Sequence, residues 1–403
     1  MNLRETQAPG APQAPDFVPL IVPEIRGNEW HYVKECLDTN WVSSVGSYVE
    51  RFERMVADQA GTRYAVATMN GTAALHIALM LAGVERDDEV LVSSLTFIAP
   101  ANAIRYVGAW PVFMDSEPRY LQIDPVHTLD FLKSDCTWDG AALINRRTRR
   151  RVRAILPVHI LGHPVDLNPI LEIAEAFSLP VIEDATEGLG STYRGRSVGG
   201  MGSVGCFSFN GNKIITTGGG GMLVTNSAEW AEKARYLTTQ AKDDPIEYVH
   251  RAIGFNYRLT NLLAAVGCAQ MESLDAYIQA KRQIAKRYNS ALGGIPGITI
   301  PAEAEWAQST YWMYTIRIDA GITHIDSRSL LRELHSRKIQ TRPLWQPLHL
   351  SPAHAHPDGQ ACPVAEVIHR DAISLPCSVG LTIPDQDRVI DAIVDIVSRN
   401  PRS

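Results

Sequence analysis

The sequence predicts an α/β protein: a mostly parallel sheet of seven strands with helices on both faces, plus a smaller α+β unit toward the C-terminus. Three observations predict it. Short apolar, β-branched runs alternate with helical-period segments from about Tyr64 to Thr225, the pattern of strands joined by crossover helices. Leu75, Ala78, Leu79 and Ala82 recur at the spacing of one helix face between two such runs. After about Arg258 the alternation stops and longer helical stretches take over.

The strand candidates are Tyr64–Met69, Glu89–Ser93, Trp110–Met114, Arg153–His159, Pro180–Glu183, Gly205–Phe209 and Gly221–Thr225. In such sheets ligands sit beyond the carboxyl ends of the strands, so the residues just after each strand matter most. Beyond Arg258 one long helix is expected over Leu262–Ala291, stopped by Gly293, Gly294 and Pro296. A strand over Tyr314–Ile318, a helix over Ser327–Lys338, a Pro- and His-rich loop over Pro343–Pro357 and a last helix near Pro384–Ser398 follow. The organisation read from this is an arm over residues 1–16, a large unit over 17–258 and a small unit over 259–403. No internal repeat is seen.

The chain has 403 residues and a net charge of −6, which gives no electrostatic reason to expect nucleic acid or an anionic membrane as partner. No run approaches the length of apolar sequence needed to span a bilayer. Met1–Asp16 carries Pro, Gly, Ala and Gln without an apolar core, so it reads as a flexible arm and not as a signal peptide. Six cysteines are scattered without a CxxC pair, which favours reduced thiols over a disulfide frame or a zinc site. A cytoplasmic protein without a metal is the expectation. The arginine run Arg146, Arg147, Arg149, Arg150, Arg151 and Arg153 is the one strong charge cluster. The acidic overall balance favours a solvated loop and strand edge over a nucleic-acid patch.

Four features fall at strand ends. Asn70-Gly71-Thr72 separates a strand from a helix, and a helix start presents unpaired N–H groups to a phosphate. Taken alone it reads better as a plain Asn/Thr helix cap. Phe97 follows the second strand and suits a flat cofactor ring, although a lone Phe there is more often core. Asp184 ends the apolar run Val181-Ile182-Glu183; a carboxylate there can keep a pyridine nitrogen protonated, or simply cap the next turn. Lys213 lies just past Phe207-Ser208-Phe209 and before four glycines, Gly218 to Gly221. A desolvated lysine loses its proton more easily, and only the neutral amine forms a Schiff base. The order of the four, phosphate turn, stacking aromatic, carboxylate and lysine, is what points to pyridoxal phosphate.

With these residues in that order, the sequence resembles the DegT/StrS group of sugar-nucleotide aminotransferases, which share the aspartate aminotransferase (type I pyridoxal phosphate) fold. The resemblance runs from about Pro19 to the last helix. It rests on Asn70-Gly71-Thr72-Ala73-Ala74-Leu75, Pro157-Val158-His159, Glu183-Asp184-Ala185, Phe207-Ser208-Phe209 with Lys213, and Gly254-Phe255-Asn256-Tyr257-Arg258. It implies that Lys213 carries the cofactor and shuttles the proton, that Asp184 partners the ring nitrogen and that Phe97 stacks on the ring. It further implies that Gly71, Thr72 and Ser208 hold the phosphate and that Asn256 reaches the cofactor of a neighbouring subunit, making a homodimer. Two departures stand out. Gly219 replaces a Glu that many members carry, and Glu187 replaces a Gln near the expected ring hydroxyl.

The segments Gly27-Asn28-Glu29-Trp30, Trp41 to Gly46, Phe209 to Lys213 and Arg342-Pro343-Leu344-Trp345 look nearest to enzymes that aminate C4 of UDP-linked 2-acetamido-4-keto-6-deoxyhexoses, with L-glutamate as donor. Perosamine-type enzymes, which use a GDP sugar, are the near alternative, and a non-catalytic sensor of sugar nucleotides is a rival from another class. Ser43, Tyr311, Arg342, Trp345 and His349 are the candidate substrate contacts, each with an alternative as ordinary loop packing. His159 reads better as a core or supporting histidine than as an acid–base group.

Overall fold

A computed structural model describes residues 16–244, 246–354 and 360–399. The expected arm lies outside the described residues except for Asp16.

The large sheet is built from β1 (Tyr64–Thr68), β2 (Glu89–Ser93), β3 (Trp110–Met114), β4 (Val152–Leu156), β5 (Ile182–Asp184), β6 (Val204–Ser208) and β7 (Gly221–Thr225). Regular ladders give two blocks, β3-β2-β4 and β5-β6-β7-β1. Parallel bridges Ile155–Val181 and Val158–Asp184 join them. Pro157 has no N–H to continue the ladder there, and its carbonyl instead accepts from Asp184 N at 2.9 Å. The result is the seven-stranded order β3-β2-β4-β5-β6-β7-β1, in which only β7 runs against its neighbours. Val90, Leu91, Val92, Ile155 and Ile182 are completely buried, as strands covered on both faces must be.

Helices α1 (Glu29–Asp38), α2 (Ser47–Ala60), α3 (Gly71–Leu81), α4 (Ala99–Tyr106), α5 (Pro125–Ser134), α6 (Leu167–Ala176) and α7 (Ala228–Thr238) belong to this part of the chain. The Asn70 side chain caps α3 by accepting from Ala73 N at 2.8 Å. Helix α3 is buried on nearly every side, Leu75, Ile77 and Leu79 completely, so its N-terminus is fixed firmly at the end of β1.

The expected long helix over Leu262–Ala291 is two helices, α8 (Asn261–Glu272) and α9 (Leu274–Leu292), which meet at Ser273. The break follows from packing. Small residues of α8, Ala264, Ala265, Gly267 and Cys268, are buried where α8 lies on α1 and α2, whereas α9 turns toward the C-terminal sheet. That sheet has the order β8 (Ile298–Thr299), β9 (Tyr314–Ile318), β11 (Ala372–Leu375), β10 (Arg342–Pro343), all antiparallel. Around it lie α10 (Ser327–Ser336), α11 (Pro363–Asp371) and α12 (Ile383–Ser398). The chain enters this region early. Val18 N donates to Lys338 O and Gln340 N to Val18 O, both at 2.9 Å, and Cys377 N donates to Leu20 O. Residues 18–20, expected to open the large unit, are therefore tied to the C-terminal part, where they satisfy backbone groups beyond α10.

The arginine run is absorbed locally. Arg151 pairs with Asp88 at 2.7 Å, Arg153 donates to Gly83 O, Arg146 to Ser134 O, and Arg150 lies over the Trp110 ring. All six cysteines are buried and unpaired. Among the described residues no helix is long and apolar enough to cross a membrane, and no His/Cys/Asp/Glu cluster is placed to hold a metal ion.

Candidate active site

The carboxyl ends of β1, β5 and β6 open onto a cavity of about 260 Å³. Asn70, Gly71 and Thr72 line it from the start of α3, Phe97 from the segment after β2, and Ser208 from the end of β6. Lys213 lines it from the loop between β6 and β7, and Trp312 and Trp345 close it from the C-terminal part. A hollow of about 300 Å³ along edge strand β3, between Trp110, His127 and Gln360, contains none of these groups.

Lys213 is the cation of the cavity. Its Nζ lies 3.6 Å from Glu187 Oε1 and 4.3 Å from the centre of the Trp312 ring. Glu187 is buried, and its other oxygen accepts from Leu161 N at 2.8 Å. Burial pushes its carboxyl up to about 7; Lys213 and the Leu161 N–H pull the other way, and Asp184 adds to the rise. Asp184 sits deeper. It does not line the cavity but lies behind Thr186 and Glu187, which do. Its Oδ1 accepts from Thr186 N at 3.0 Å, and burial raises its pKa against the pull of Thr186 and Lys213. A buried carboxylate in that state is completed by a cationic or N–H partner.

On the opposite face of β5, Glu183 accepts from Gly199 N and Met201 N, both at 2.7 Å, and lies 3.1 Å from His159 Nε2. Burial would raise Glu183, yet His159 and the N–H groups outweigh it and hold the carboxyl low. Val165 N donates to His159 Nδ1, so the ring proton belongs on Nε2, facing Glu183. His159 is thus a supporting residue without a place on the cavity wall.

The cradle at α3 is kept open by missing side chains. A Cβ on Gly71 would stand 2.9 Å from Ser208 Cβ and 3.1 Å from Thr186 Cγ2, and one on Gly221 would collide with the Asn70 backbone. The first intrahelical bond is Ala74 N to Asn70 O, so the Gly71 and Thr72 N–H groups precede the ladder and face the Ser208 side. A small anion beside a flat ring would fit here, with Gly71, Thr72 and Ser208 available to the anion and Phe97, Glu187 and Lys213 on the walls beside it. The donor set suits pyridoxal phosphate.

Of the expected residues, Gly71, Thr72, Phe97, Glu187, Ser208, Lys213 and Trp345 come together in one cavity. Asn256 is exposed and away from it, paired in a bridge with Thr239. Ser43 and Arg342 are exposed outside the lining, and Tyr311 is buried beneath it. His349, expected as a substrate contact, has both ring nitrogens engaged, Nδ1 with Ser94 Oγ at 2.7 Å and Nε2 with Glu366 Oε1 at 3.1 Å. It holds the loop that carries Trp345. Trp312 was missed by sequence reasoning. The loop Tyr311–Tyr314 is expected from the sequence to lie along the substrate, but Tyr311 is the residue singled out there, since a Trp beside a Tyr carries no local signal of its own.

Residues 23–394 match the DegT/DnrJ/EryC1/StrS aminotransferase family. GDP-perosamine synthase of Caulobacter vibrioides is 40% identical over 381 residues, covering 94% of this chain and 98% of that protein. GDP-perosamine synthase of Escherichia coli O157:H7 is 38% identical over 367 residues, 91% of this chain and 94% of that one. Among solved structures, the aminotransferase TlmJ of Streptoalloteichus hindustanus superposes with TM-score 0.86 at 29% identity, covering 95% of this chain and 99% of its own. DesV of S. venezuelae gives 0.82 at 32% identity, over 92% and 95%.

Proposed function

We infer the reaction from one premise: this chain belongs to the DegT/DnrJ/EryC1/StrS aminotransferase family. It is a sugar-nucleotide aminotransferase of the type I fold, and its cofactor is pyridoxal phosphate. A purely sensory role is set aside. Within that class we propose transfer of an amino group from L-glutamate to C4 of GDP-4-keto-6-deoxymannose. Three relatives, at 40%, 38% and 34% identity, bear the name GDP-perosamine synthase. This replaces the UDP-linked 2-acetamido sugar that the segment comparison in the sequence favoured.

The observation that carries the chemistry is Lys213 facing the cavity beside an open anion cradle. Bound there, pyridoxal phosphate supplies the electron sink that lets a proton leave the amine-bearing carbon, and it stores the amino group between half-reactions. Lys213 carries the cofactor at rest and, once released, moves the proton at the α carbon of glutamate and later at C4 of the sugar. Gly71, Thr72 and Ser208 hold the phosphate. Asp184 keeps the ring nitrogen protonated, Glu187 takes the ring hydroxyl, and Phe97 covers one ring face. Trp345 walls the sugar side, with exposed Ser43 and Arg342 farther out along the approach and Tyr311 buried behind the wall.

The exposed position of Asn256 supports its reaching a second copy of the chain, so we place the working unit as a homodimer. Every residue assigned to the cofactor precedes residue 259, and most sugar-side candidates follow it, which supports the division into a large unit over 17–258 and a small one over 259–403, with residues 18–20 and α8 packing across that boundary. Six unpaired thiols favour the cytoplasm.

The test is amination of two substrates in parallel. Protein loaded with pyridoxal phosphate is given L-glutamate and either GDP-4-keto-6-deoxymannose or UDP-2-acetamido-4-keto-2,6-dideoxyhexose, and the sugar nucleotide is weighed by mass spectrometry. Replacement of C=O by CH–NH₂ adds about one mass unit. The gain is expected on the GDP sugar. A gain on the UDP sugar alone would reverse the substrate assignment and leave the chemistry in place.

A further inference from the structure

Two turns with left-handed backbone meet beside Lys213. After β4, Leu161 has φ +62° and Gly162 +84°; before β9, Tyr311 has φ +48°. Bulky side chains avoid this region, so such turns persist only where surrounding contacts over-determine them. Here the Gly162 carbonyl accepts from Thr310 N at 3.0 Å, from Ser309 Oγ at 2.9 Å and from Ser191 Oγ at 2.6 Å. A Cβ on Gly162 would collide with Thr310. The two turns set the gap in which Lys213 lies. Leu161 N–H fixes Glu187 on one side. On the other, Tyr311 turns the chain so that the Trp312 ring faces Nζ and its Nε1–H donates to Asn212 O at 2.7 Å.

We propose that Trp312 and Glu187 are a positioning pair for Lys213, the ring face and the carboxylate together holding the free amine as a cation aimed into the cavity. The pair rests on the reading of Lys213 as the cofactor-bearing lysine, but it acts when the amine carries no cofactor. An indole face attracts a cation and not a neutral amine, and the carboxylate does the same from the opposite side. The ammonium that Lys213 becomes once it has taken a proton is thereby kept at a defined place beside the reacting carbons, which shortens its search before that proton is handed on.

The test uses cofactor-free full-length protein. Acetic anhydride, which attacks only neutral amines, is applied across a pH series, and acetylation of Lys213 is quantified by peptide mass spectrometry against exposed Lys286. W312L and E187Q are each expected to move the midpoint of the labelling profile down by about half a pH unit or more, a three-fold or larger change in protonation. W312F, which keeps an aromatic face and loses the Nε1–H bond, is expected to stay within about 0.3 of the wild-type midpoint. Easier reagent access would raise the rate at every pH without moving the midpoint. Unmoved midpoints in W312L and E187Q overturn the proposal, and an equal move in W312F and W312L overturns the role of the ring face. If W312L does not fold, E187Q decides alone: an unmoved midpoint there refutes the pair. Borohydride reduction of the loaded wild type, followed by peptide mapping, keeps the two readings apart. Cofactor found on another lysine refutes the function assigned to Lys213, whatever the labelling shows.

Discussion

His349 Nδ1 lies 2.7 Å from Ser94 Oγ, a contact that fixes a side chain of the segment 344–354 to the end of β2. Leu348 N donates to Ser94 O at 2.8 Å beside it, so backbone and side chain fasten the loop at one point. Trp345, four residues earlier, thereby gains a fixed place on the cavity wall. H349A should raise KM for the sugar nucleotide about ten-fold and change kcat by less than about three-fold. The buried Ser94 hydroxyl, left with the Cys362 thiol as its weak partner, should cost about 1 kcal/mol in unfolding. Steady-state kinetics with a denaturant melt checks both; a fall in kcat with unchanged KM would contradict a loop-holding role.

Glu187 gives the cofactor-free protein a pH dependence of defined sign. Its carboxyl is raised from an ordinary 4.5 to about 7 by burial, so the folded chain binds more protons than the unfolded one between those values. Stability from this group is therefore present below about pH 4.5 and is lost as pH rises toward about 7. E187Q has no such proton to lose. Relative to wild type it should gain on the order of 2 kcal/mol or more at pH 8 compared with its difference at pH 4.5. Urea midpoints at the two pH values decide it, and an identical difference at both would refute the account.

Gly71 separates stability from cofactor affinity. Alanine favours a helix over glycine by about 1 kcal/mol, yet its Cβ would enter the space between Ser208 and Thr186. G71A is expected to unfold within a few degrees of wild type while binding pyridoxal phosphate at least about ten-fold more weakly, read from the visible absorbance of the loaded protein. Unchanged affinity would remove the cradle from the phosphate site.

Asp184 is buried, with burial opposing its charge. Removing that charge should leave the fold intact, because Asn keeps an oxygen to accept from Thr186 N and sheds the burial penalty on the charge. D184N should slow the half-reaction with L-glutamate by about 10²–10³-fold, while K213A should abolish it together with the visible band of the bound cofactor. Half-reaction rates by stopped-flow absorbance test both, and a D184N rate near wild type would shift the ring-nitrogen role elsewhere.

The large sheet was legible because its strands are apolar on both faces and bounded by turn residues. Glu89–Ser93, Trp110–Met114 and Gly221–Thr225 match to the residue, and the others shift by one to three positions. That Lys213, Glu187, Ser208 and the Gly71 turn meet at one cavity was legible for the same reason: Ser208 ends a readable strand and the others follow one. The break at Ser273 was not, since α8 and α9 share one helical period and differ only in what they pack against. Trp312 was hidden because its aim depends on a left-handed Tyr311, a backbone state that sequence does not announce. His349 was read as touching the substrate, whereas its partners, Ser94 and Glu366, lie far from it in sequence. Long-range pairings of this kind leave no periodicity to detect.

Among the described residues β7 is the only strand paired with β1, and it joins β1 to the rest of the sheet, while Thr68 makes a single bridge to Arg258. During synthesis from the N-terminus, β1 and the helix start that follows it must wait for residues far later in the chain before either is anchored. Such non-local pairing forms slowly. The anion cradle therefore cannot be anchored on the sheet before Gly221–Thr225 has been made, so the vitamin-derived ligand cannot template an intermediate that precedes it. It can only bind the finished sheet, drawing the equilibrium toward that state by mass action. Cells starved of the vitamin would then accumulate less of the native protein without any change in how it begins to fold.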